Sequence, residues 1–141
     1  MSDFLDDAAQ LGAMLDSFVA ATGGAIGALV MSSDGLLAAM SSSLQRSDAD
    51  QLSAAALGVI GLTRSGVRRL GGVAVNQIIV ELDRGYMYFM PMDAGNALIV
   101  VSTVRSDVGI TGYEMSVLAE RISEFVTNDR ILGLRSFLAM K

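Results

Sequence analysis

Apolar residues recur first at helical and then at strand spacing, and this change of period divides the first part of the chain into elements. Intervals of three and four residues predict a helix over residues 4–21. Two short apolar runs follow, at residues 25–31 and 36–40. The Asp34-Gly35 pair lies between them, and Asp-Gly between two apolar runs is a strong signal for a β-hairpin.

The rest of the chain continues with a helix, a group of strands and a last helix. Ser47, followed by Asp50, resembles a capping box and predicts the start of a second helix that reaches about residue 67. Turn residues then separate three predicted strands, which span residues 73–82, 86–92 and 97–103. Asp107 is placed to cap a last helix that reaches about residue 127.

The predicted order of elements is α-β-β-α-β-β-β-α, which indicates a single α+β domain. Because hairpins connect most of the strands, the sheet is expected to be largely antiparallel, with helices covering its faces. We assign residues 1–128 to this domain and residues 129–141 to an amphipathic C-terminal tail. The tail is either a short extra helix packed on the body or a segment reserved for a partner.

The second helix has a broad apolar arc and, across from it, a stripe of small residues, Ala54, Gly58, Gly61 and Ser65. Each glycine inside a helix costs about 0.8–1 kcal/mol relative to alanine, so two on one stripe indicate that another backbone approaches closely. Either this stripe packs within the chain or it meets the same helix of a second copy. The members of the apolar arc are Leu52, Ala55, Ala56, Leu57, Val59, Ile60, Leu62 and Val67.

The strand predicted at residues 73–82 is apolar on both faces, and such a strand at a sheet edge must be paired or covered. This favours pairing with a second copy over packing within the chain. We therefore predict a homodimer interface formed by the second helix and this strand. Its predicted residues are Ala54, Leu57, Gly58, Gly61, Ser65, Val75, Gln77 and Ile79.

Composition narrows the possible functions. Apolar residues make up 52% of the chain and charged residues 18%, which excludes a disordered chain and indicates more apolar surface than a monomer needs. Histidine and cysteine are absent, which excludes histidine-based triads, thiolate chemistry, and the usual zinc, haem and iron–sulfur ligands. We predict no catalytic residues, no cofactor and no bound metal.

Net charge and the absence of targeting or membrane-spanning patterns exclude further classes of partner and location. The net charge is −5 and the basic residues are scattered, so nucleic acid is not expected as a partner. The first residues carry acidic and no basic side chains, unlike a secretory signal. Since no stretch has the roughly 20 apolar residues of a membrane span, we predict no membrane insertion and a cytoplasmic protein.

Two groups of charged residues are candidates for binding. Glu81 and Asp83 lie on the same face at a strand end and could hold a hard cation, although a solvated turn is the simpler interpretation. Arg64, Arg68 and Arg69 cluster near a helix C-terminus. They complement the helix dipole there, or they form a docking site for an acidic or phosphorylated partner.

Three segments give the chain a family resemblance: LVMSSDGLLAA at residues 29–39, VNQIIVELDRGYMYFMPMDAGNALIVV at residues 75–101, and DVGITGYEMSVLAERI at residues 107–122. Together with the order of elements, they resemble a bacterial member of the Roadblock family, named for dynein light chains. The resemblance covers roughly residues 5–127. It consists of hairpins and a helix face that define a fold, and it carries no catalytic signature.

The resemblance implies a five-stranded antiparallel sheet between one helix on one face and two on the other. It also implies a homodimer joined through the second helix and the third strand into a continuous sheet. Family members are interaction modules, and bacterial ones include regulators of small Ras-like GTPases. We therefore hypothesise a non-enzymatic homodimeric adaptor that binds such a GTPase, with a GTPase-activating or scaffold role.

Two other functions stay open from the sequence. The chain could be a small-molecule sensory domain with a ligand between sheet and helices, or a passive scaffold in a signalling complex. An enzyme is a remote third possibility, since only carboxylates and tyrosines could transfer protons.

Overall fold

The computed structural model describes residues 2–140, so Met1 at the start of the predicted domain and Lys141 at the end of the predicted tail lie outside the described residues. Its helices are α1 (Ser2–Ala21), α2 (Arg46–Val67), α3 (Val108–Phe125) and α4 (Asn128–Ala139). Its strands are β1 (Ala25–Met31), β2 (Leu37–Met40), β3 (Ile78–Leu82), β4 (Gly85–Pro91) and β5 (Ala97–Thr103). Short 3₁₀ turns follow α2 at Arg68–Leu70 and precede β5 at Asp93–Gly95.

The five strands form one antiparallel sheet in the order β2-β1-β5-β4-β3, which confirms the predicted α+β class. The hairpin predicted at Asp34-Gly35 joins β1 to β2, and Gly35 has a positive φ of 83° that a glycine adopts without strain. Strand β5 lies in the centre, where Leu98 pairs with Val30 of β1. Both faces of β5 are buried, as its continuous apolar run requires.

Helices cover both faces of the sheet. On one face α2 packs over a buried cluster that includes Leu29, Ile60 and Ile99. On the other face α1 and α3 pack over a second cluster, as the family resemblance implies, and the additional helix α4 joins them. The largest buried side chains of this second cluster are Tyr88, Leu11, Leu15, Leu98, Met115, Ile122, Leu134 and Val30.

The start of α2 differs from the prediction. The helix begins at Arg46 with Gln45 as its N-cap, and no side chain caps it, so the predicted capping role of Ser47 is wrong. Asp50 instead accepts a hydrogen bond from the Arg46 side chain one turn earlier, with an Nε–Oδ2 distance of 3.2 Å. The i,i+4 ion pair uses the carboxylate that a capping box would have needed.

The first strand after α2 is shorter than predicted, because residues 73–77 belong to no strand and β3 begins only at Ile78. The neighbouring strand limits this pairing. Ile78 pairs with Phe89, so a β3 that began earlier would bring Asn76 opposite Pro91. Strand β4 ends at Pro91, and this proline has no N–H to donate to the pairing.

The N-terminus of α3 is fixed as predicted. Asp107 is the N-cap, and its side chain accepts a hydrogen bond from the Ile110 N–H at 3.0 Å. A buried chain of hydroxyls continues from this turn, with Ser106 Oγ 2.6 Å from Tyr88 Oη and 2.7 Å from Thr111 Oγ1. These hydrogen bonds connect the first turn of α3 to strand β4 under the helix.

The segment predicted as a C-terminal tail contains α4, which packs along the edge strand β2 and against α1. Ile131 and Leu134 anchor it in the core beside Ala38 of β2. Of the two predicted states of this tail, the structure shows the short extra helix packed on the body. The division of the chain at residue 128 stays a prediction.

Polar contacts attach α4 to the β4–β5 turn, to α1 and to the β1–β2 turn. Its residue Asn128 accepts a hydrogen bond from Asn96 at 2.8 Å, and Arg130 pairs with Asp7 of α1. Arg135 pairs with Asp34 in the β1–β2 turn, with 3.4 Å between Nη1 and Oδ2. A hydrogen bond from Ser32 Oγ and, secondarily, the charge of Arg135 lower the pKa of Asp34.

Replacing Asp34 with asparagine tests this attachment, because asparagine keeps the turn chemistry but removes the charge that Arg135 contacts. We expect Asp34→Asn to lower the free energy of unfolding at neutral pH by at most about 1 kcal/mol, since the pair is partly exposed. Urea unfolding measures this change. A carboxyl group whose pKa is lowered in the native state stabilises the fold at pH values above its unfolded-state pKa of about 3.9. This stabilisation is lost as the pH falls through the native pKa.

The difference in the free energy of unfolding between the native protein and Asp34→Asn should therefore become smaller below about pH 4. The exposed carboxylate of Glu120 on α3 provides the control, because Glu120→Gln should leave the pH profile close to that of the native protein. A constant difference across the acidic range would contradict the role assigned to the Asp34 charge.

Candidate functional site

The small-residue stripe of α2 lies on an open surface. Around Gly58 and Gly61 an added Cβ would meet no heavy atom within 4 Å, apart from the helix itself and its chain neighbours. Ala54 and Ser65 are also exposed. No described residue of the chain covers the stripe, so the interpretation in which it packs on a helix of the same chain is wrong.

The opposite side of α2 contacts the sheet through Ser53, Ala56 and Ile60. The hydroxyl of Ser53 donates a hydrogen bond to the Gly35 carbonyl at 2.9 Å, which fixes the helix over the β1–β2 turn. Leu57 lies over the same turn, where a Cβ on Gly35 would be only 2.7 Å from Leu57 Cδ2. Leu57 thus supports the hairpin while part of its side chain remains exposed.

The predicted apolar arc of α2 does not point uniformly inward. Leu62, which we placed in that arc, is 76% exposed. It follows Gly61 by about 100° around the helix, so its side chain borders the stripe instead of the sheet. Part of the apolar character of α2 therefore belongs to its open surface.

The other predicted interface residues lie along the free edge of the sheet. Ile78 and Val80 face the cluster under α2, so by the alternation of a strand Ile79 faces the opposite side. Gln77 is directed to that opposite side as well, because a Cβ on Gly112 of α3 would be 2.8 Å from its Oε1. The structure thus places Ala54, Leu57, Gly58, Gly61 and Ser65 on α2 and Ile79 in β3, whereas Val75 and Gln77 lie in the segment that precedes β3.

Further exposed apolar side chains surround this region and are not among the predicted interface residues. They are Leu70 after α2, Val73 in the unpaired segment and Leu82 at the end of β3. Their signal is present in the sequence, since an apolar run continues through residues 73–82 although only one strand is available to pair with it. An edge strand with such residues is suited to pairing with another chain.

The arginine cluster, Arg64, Arg68 and Arg69, lies at the end of α2 and in the 3₁₀ turn that follows it. All three side chains are exposed, and none forms an ion pair with another described residue. Positive charge at a helix C-terminus complements the helix dipole. The cluster is also available to an acidic surface.

The carboxylates considered for cation binding are solvent-exposed at the β3–β4 turn. Within residues 2–140, no group of three or more acidic side chains is arranged to hold a metal ion. The serine hydroxyls near β2 have structural partners instead, since Ser41 Oγ accepts a hydrogen bond from the Ala28 N–H at 3.0 Å. Ser42 donates to Asp16 of α1 through both its N–H and its hydroxyl.

A sensory domain would need a ligand cavity between the sheet and the helices. The depression beside the β4–β5 turn, lined by residues such as Met92, Asn96 and Ile131, has a volume of about 190 Å³. Ligand pockets are typically about 300–1,000 Å³. Larger depressions between α1 and α3 are open grooves on the surface. As for a membrane, the described part of the chain contains no helix that is both long and apolar enough to span one.

The chain is similar to known proteins of one family. The Roadblock/LC7 domain model matches residues 11–103. A Roadblock/LC7 domain from Streptomyces avermitilis is 29% identical, with a TM-score of 0.75, and the match covers 79% of this chain and 93% of that one. The search of curated proteins found no match.

More distant structures share the fold alone. MglB from Myxococcus xanthus is 14% identical with a TM-score of 0.71, over 82% of this chain and 93% of that one. The gliding protein MglB from Thermus thermophilus is 16% identical with a TM-score of 0.74, over 84% of this chain and 90% of that one.

Alanine substitution measures how open the α2 stripe is. Because an added Cβ meets nothing and alanine favours a helix, we expect Gly58→Ala and Gly61→Ala each to raise the free energy of unfolding by about 0.5–1 kcal/mol. The measurement is urea unfolding at a dilution where the chain is monomeric. Destabilisation at that dilution would show that part of the same chain covers the stripe.

Proposed function

The chain belongs to the Roadblock/LC7 family, and from this premise we propose that it is a non-enzymatic homodimeric adaptor that binds a small Ras-like GTPase in the cytoplasm. The observation that carries the proposal is the open stripe of α2 together with the unpaired edge at β3. Both are apolar surfaces that the described chain leaves uncovered.

The homodimer is supported by two uncovered features that a second copy can satisfy together, the α2 stripe and the β3 edge. Gly58 and Gly61 allow a second backbone to approach, and the edge of β3 has N–H and C=O groups that a second copy can pair. A two-fold axis brings the same helix and the same strand of each copy together, so one arrangement satisfies both. Burying Leu62 and Leu70 would add apolar area to this contact.

The GTPase is supported by family membership, since bacterial proteins that resemble this chain include regulators of small Ras-like GTPases. The arginine cluster is the surface of this chain that we assign to docking, because three unpaired positive charges suit an acidic face of a partner. A stimulating effect on hydrolysis would come from ordering the GTPase's own switch regions. A scaffold role needs only the binding.

Substitution of leucine in the α2 stripe tests the homodimer. Gly58→Leu and Gly61→Leu place a branched side chain where two backbones are to meet, and we expect either variant to halve the mass of the native dimer in light scattering. Gly23→Leu in the α1–β1 turn is the matched control, since its Cβ also meets no heavy atom within 4 Å and it lies away from α2 and β3. An unchanged mass for both stripe variants would overturn this interface.

A pull-down tests the GTPase. The purified protein is incubated with its native cytosol, once with GDP and once with a non-hydrolysable GTP analogue. We expect a small GTPase to be retained preferentially with the analogue, and the GTP hydrolysis rate of that protein then separates activation from scaffolding. Retention of other proteins without nucleotide dependence would contradict GTPase binding.

Charge reversal tests the docking site in the same assay. The combined change Arg64→Glu, Arg68→Glu and Arg69→Glu should lower retention by about tenfold, since each reversed pair contributes a few tenths of a kcal/mol or more. Arg105→Glu, in the β5–α3 connection, is the matched control and should leave retention unchanged. Equal retention by the triple variant would remove the cluster from the interface.

A further inference from the structure

A groove runs between α1 and α3, on the face of the sheet opposite α2. It consists of two adjoining depressions of about 480 and 390 Å³ that share Met14 of α1 and Arg121 of α3. Its apolar lining comes from both helices: Ala13, Met14, Phe18, Ala21, Val117, Leu118 and Phe125. We call this the α1/α3 groove.

The apolar surface continues from the groove onto the outer side of α3. Ile110 is 60% exposed, Tyr113 is 67% exposed and Val117 is 37% exposed. They are three and four residues apart, so they form one stripe, and Val117 also lines the groove. The sheet-facing side of α3 has its own apolar residues, Met115, Leu118 and Ile122, so the outer stripe has no role in the described core.

Charged residues of α3 line the groove in alternation. Glu114 and Arg121 line one depression, and Arg121 and Glu124 line the other. None of the three makes an ion pair with another residue between positions 2 and 140. Glu114 and Glu124 are ten positions apart, or about 15 Å along the helix. The groove thus presents negative, positive and negative charge in a fixed order.

We propose that the α1/α3 groove binds an amphipathic helix of a partner protein. Its apolar face would cover Val117 and Phe125, and two basic residues about ten positions apart would face Glu114 and Glu124. An acidic residue between them would face Arg121. An apolar stripe at three- and four-residue spacing fits a groove between two helices, and the order of charges sets its register.

No residue that lines the α1/α3 groove belongs to the proposed dimer contact. The α2 stripe lies on the other side of the sheet, and Gln77 and Ile79, which lie on the same side as α3, are not part of the groove lining. Each copy of a dimer would therefore keep its own groove accessible. The inference goes beyond the proposed function and does not rest on GTPase binding, so each can fail alone.

The test uses a fluorescein-labelled synthetic helix of about five turns, with leucines at three- and four-residue spacing and the arginine–glutamate–arginine order described above. A second peptide exchanges the charges, with glutamates in place of the arginines and an arginine in place of the glutamate. Fluorescence anisotropy with the full chain should show that the first peptide binds about tenfold more tightly. Equal affinities would overturn the proposal.

Charge-reversed protein makes the test specific. In the combined variant Glu114→Arg, Arg121→Glu and Glu124→Arg, we expect the preference to invert, so that the second peptide binds more tightly. These side chains are exposed, and a melting curve close to that of the native protein verifies the fold. A preference that stays the same would show that the peptide binds elsewhere.

Apolar variants provide the remaining controls. Val117→Asp should weaken binding of the first peptide by at least about tenfold, whereas Leu36→Asp, at an exposed position in the β1–β2 turn outside both proposed surfaces, should leave its affinity unchanged. Equal weakening by both would contradict docking in the groove. If Val117→Asp instead lowers the mass of the protein without peptide, the groove is occupied by a second copy and the proposal is overturned.

Discussion

An open sheet has two edges with unpaired backbone N–H and C=O groups, and the rest of this molecule depends on whether each edge is covered or left exposed. Strand β2 is almost fully buried because α4 packs along it, with Ile131 and Leu134 in the core. Strand β3, at the other edge, remains partly exposed along its length. The fold therefore directs any extension of the sheet to one side.

The two sides of the sheet then have separate roles. On one side α2 contacts the sheet through Ser53, Ala56 and Ile60 and keeps its glycine stripe open. On the other side α1 and α3 bury their inner faces and leave a groove lined by charged residues. The molecule thus presents a different surface on each side of its sheet, as the proposed adaptor requires.

Much of the fold could be predicted because its signals are local. The Asp34-Gly35 turn, the capping carboxylate of Asp107 and the strand over residues 97–103 each depend on a few neighbouring residues, and the structure confirms all three. The start of α2 was not predicted correctly, since Ser47 followed by Asp50 matches a capping pattern, whereas in the structure Gln45 is the N-cap and Asp50 pairs with Arg46. The length of β3 depended on where β4 ends, which is not a local property.

The candidate surfaces could be predicted only in part for the same reason. The stripe of Gly58 and Gly61 follows from helical spacing, but its exposure depends on how α2 crosses the sheet, which also exposes Leu62. The α1/α3 groove depends on the separation of two helices that are about 90 residues apart in the chain. No periodicity within either helix specifies that separation.

The central pairing of β1 with β5 has a consequence for the order in which the chain folds. Residue Val30 pairs with Leu98, so the middle of the sheet forms only after most of the chain has left the ribosome. Until then the β1–β2 hairpin lacks its neighbour β5, and the backbone N–H and C=O groups on one side of β1 stay unpaired. Because its central pairing joins residues that are far apart in the chain, such a topology folds slowly compared with a helical bundle.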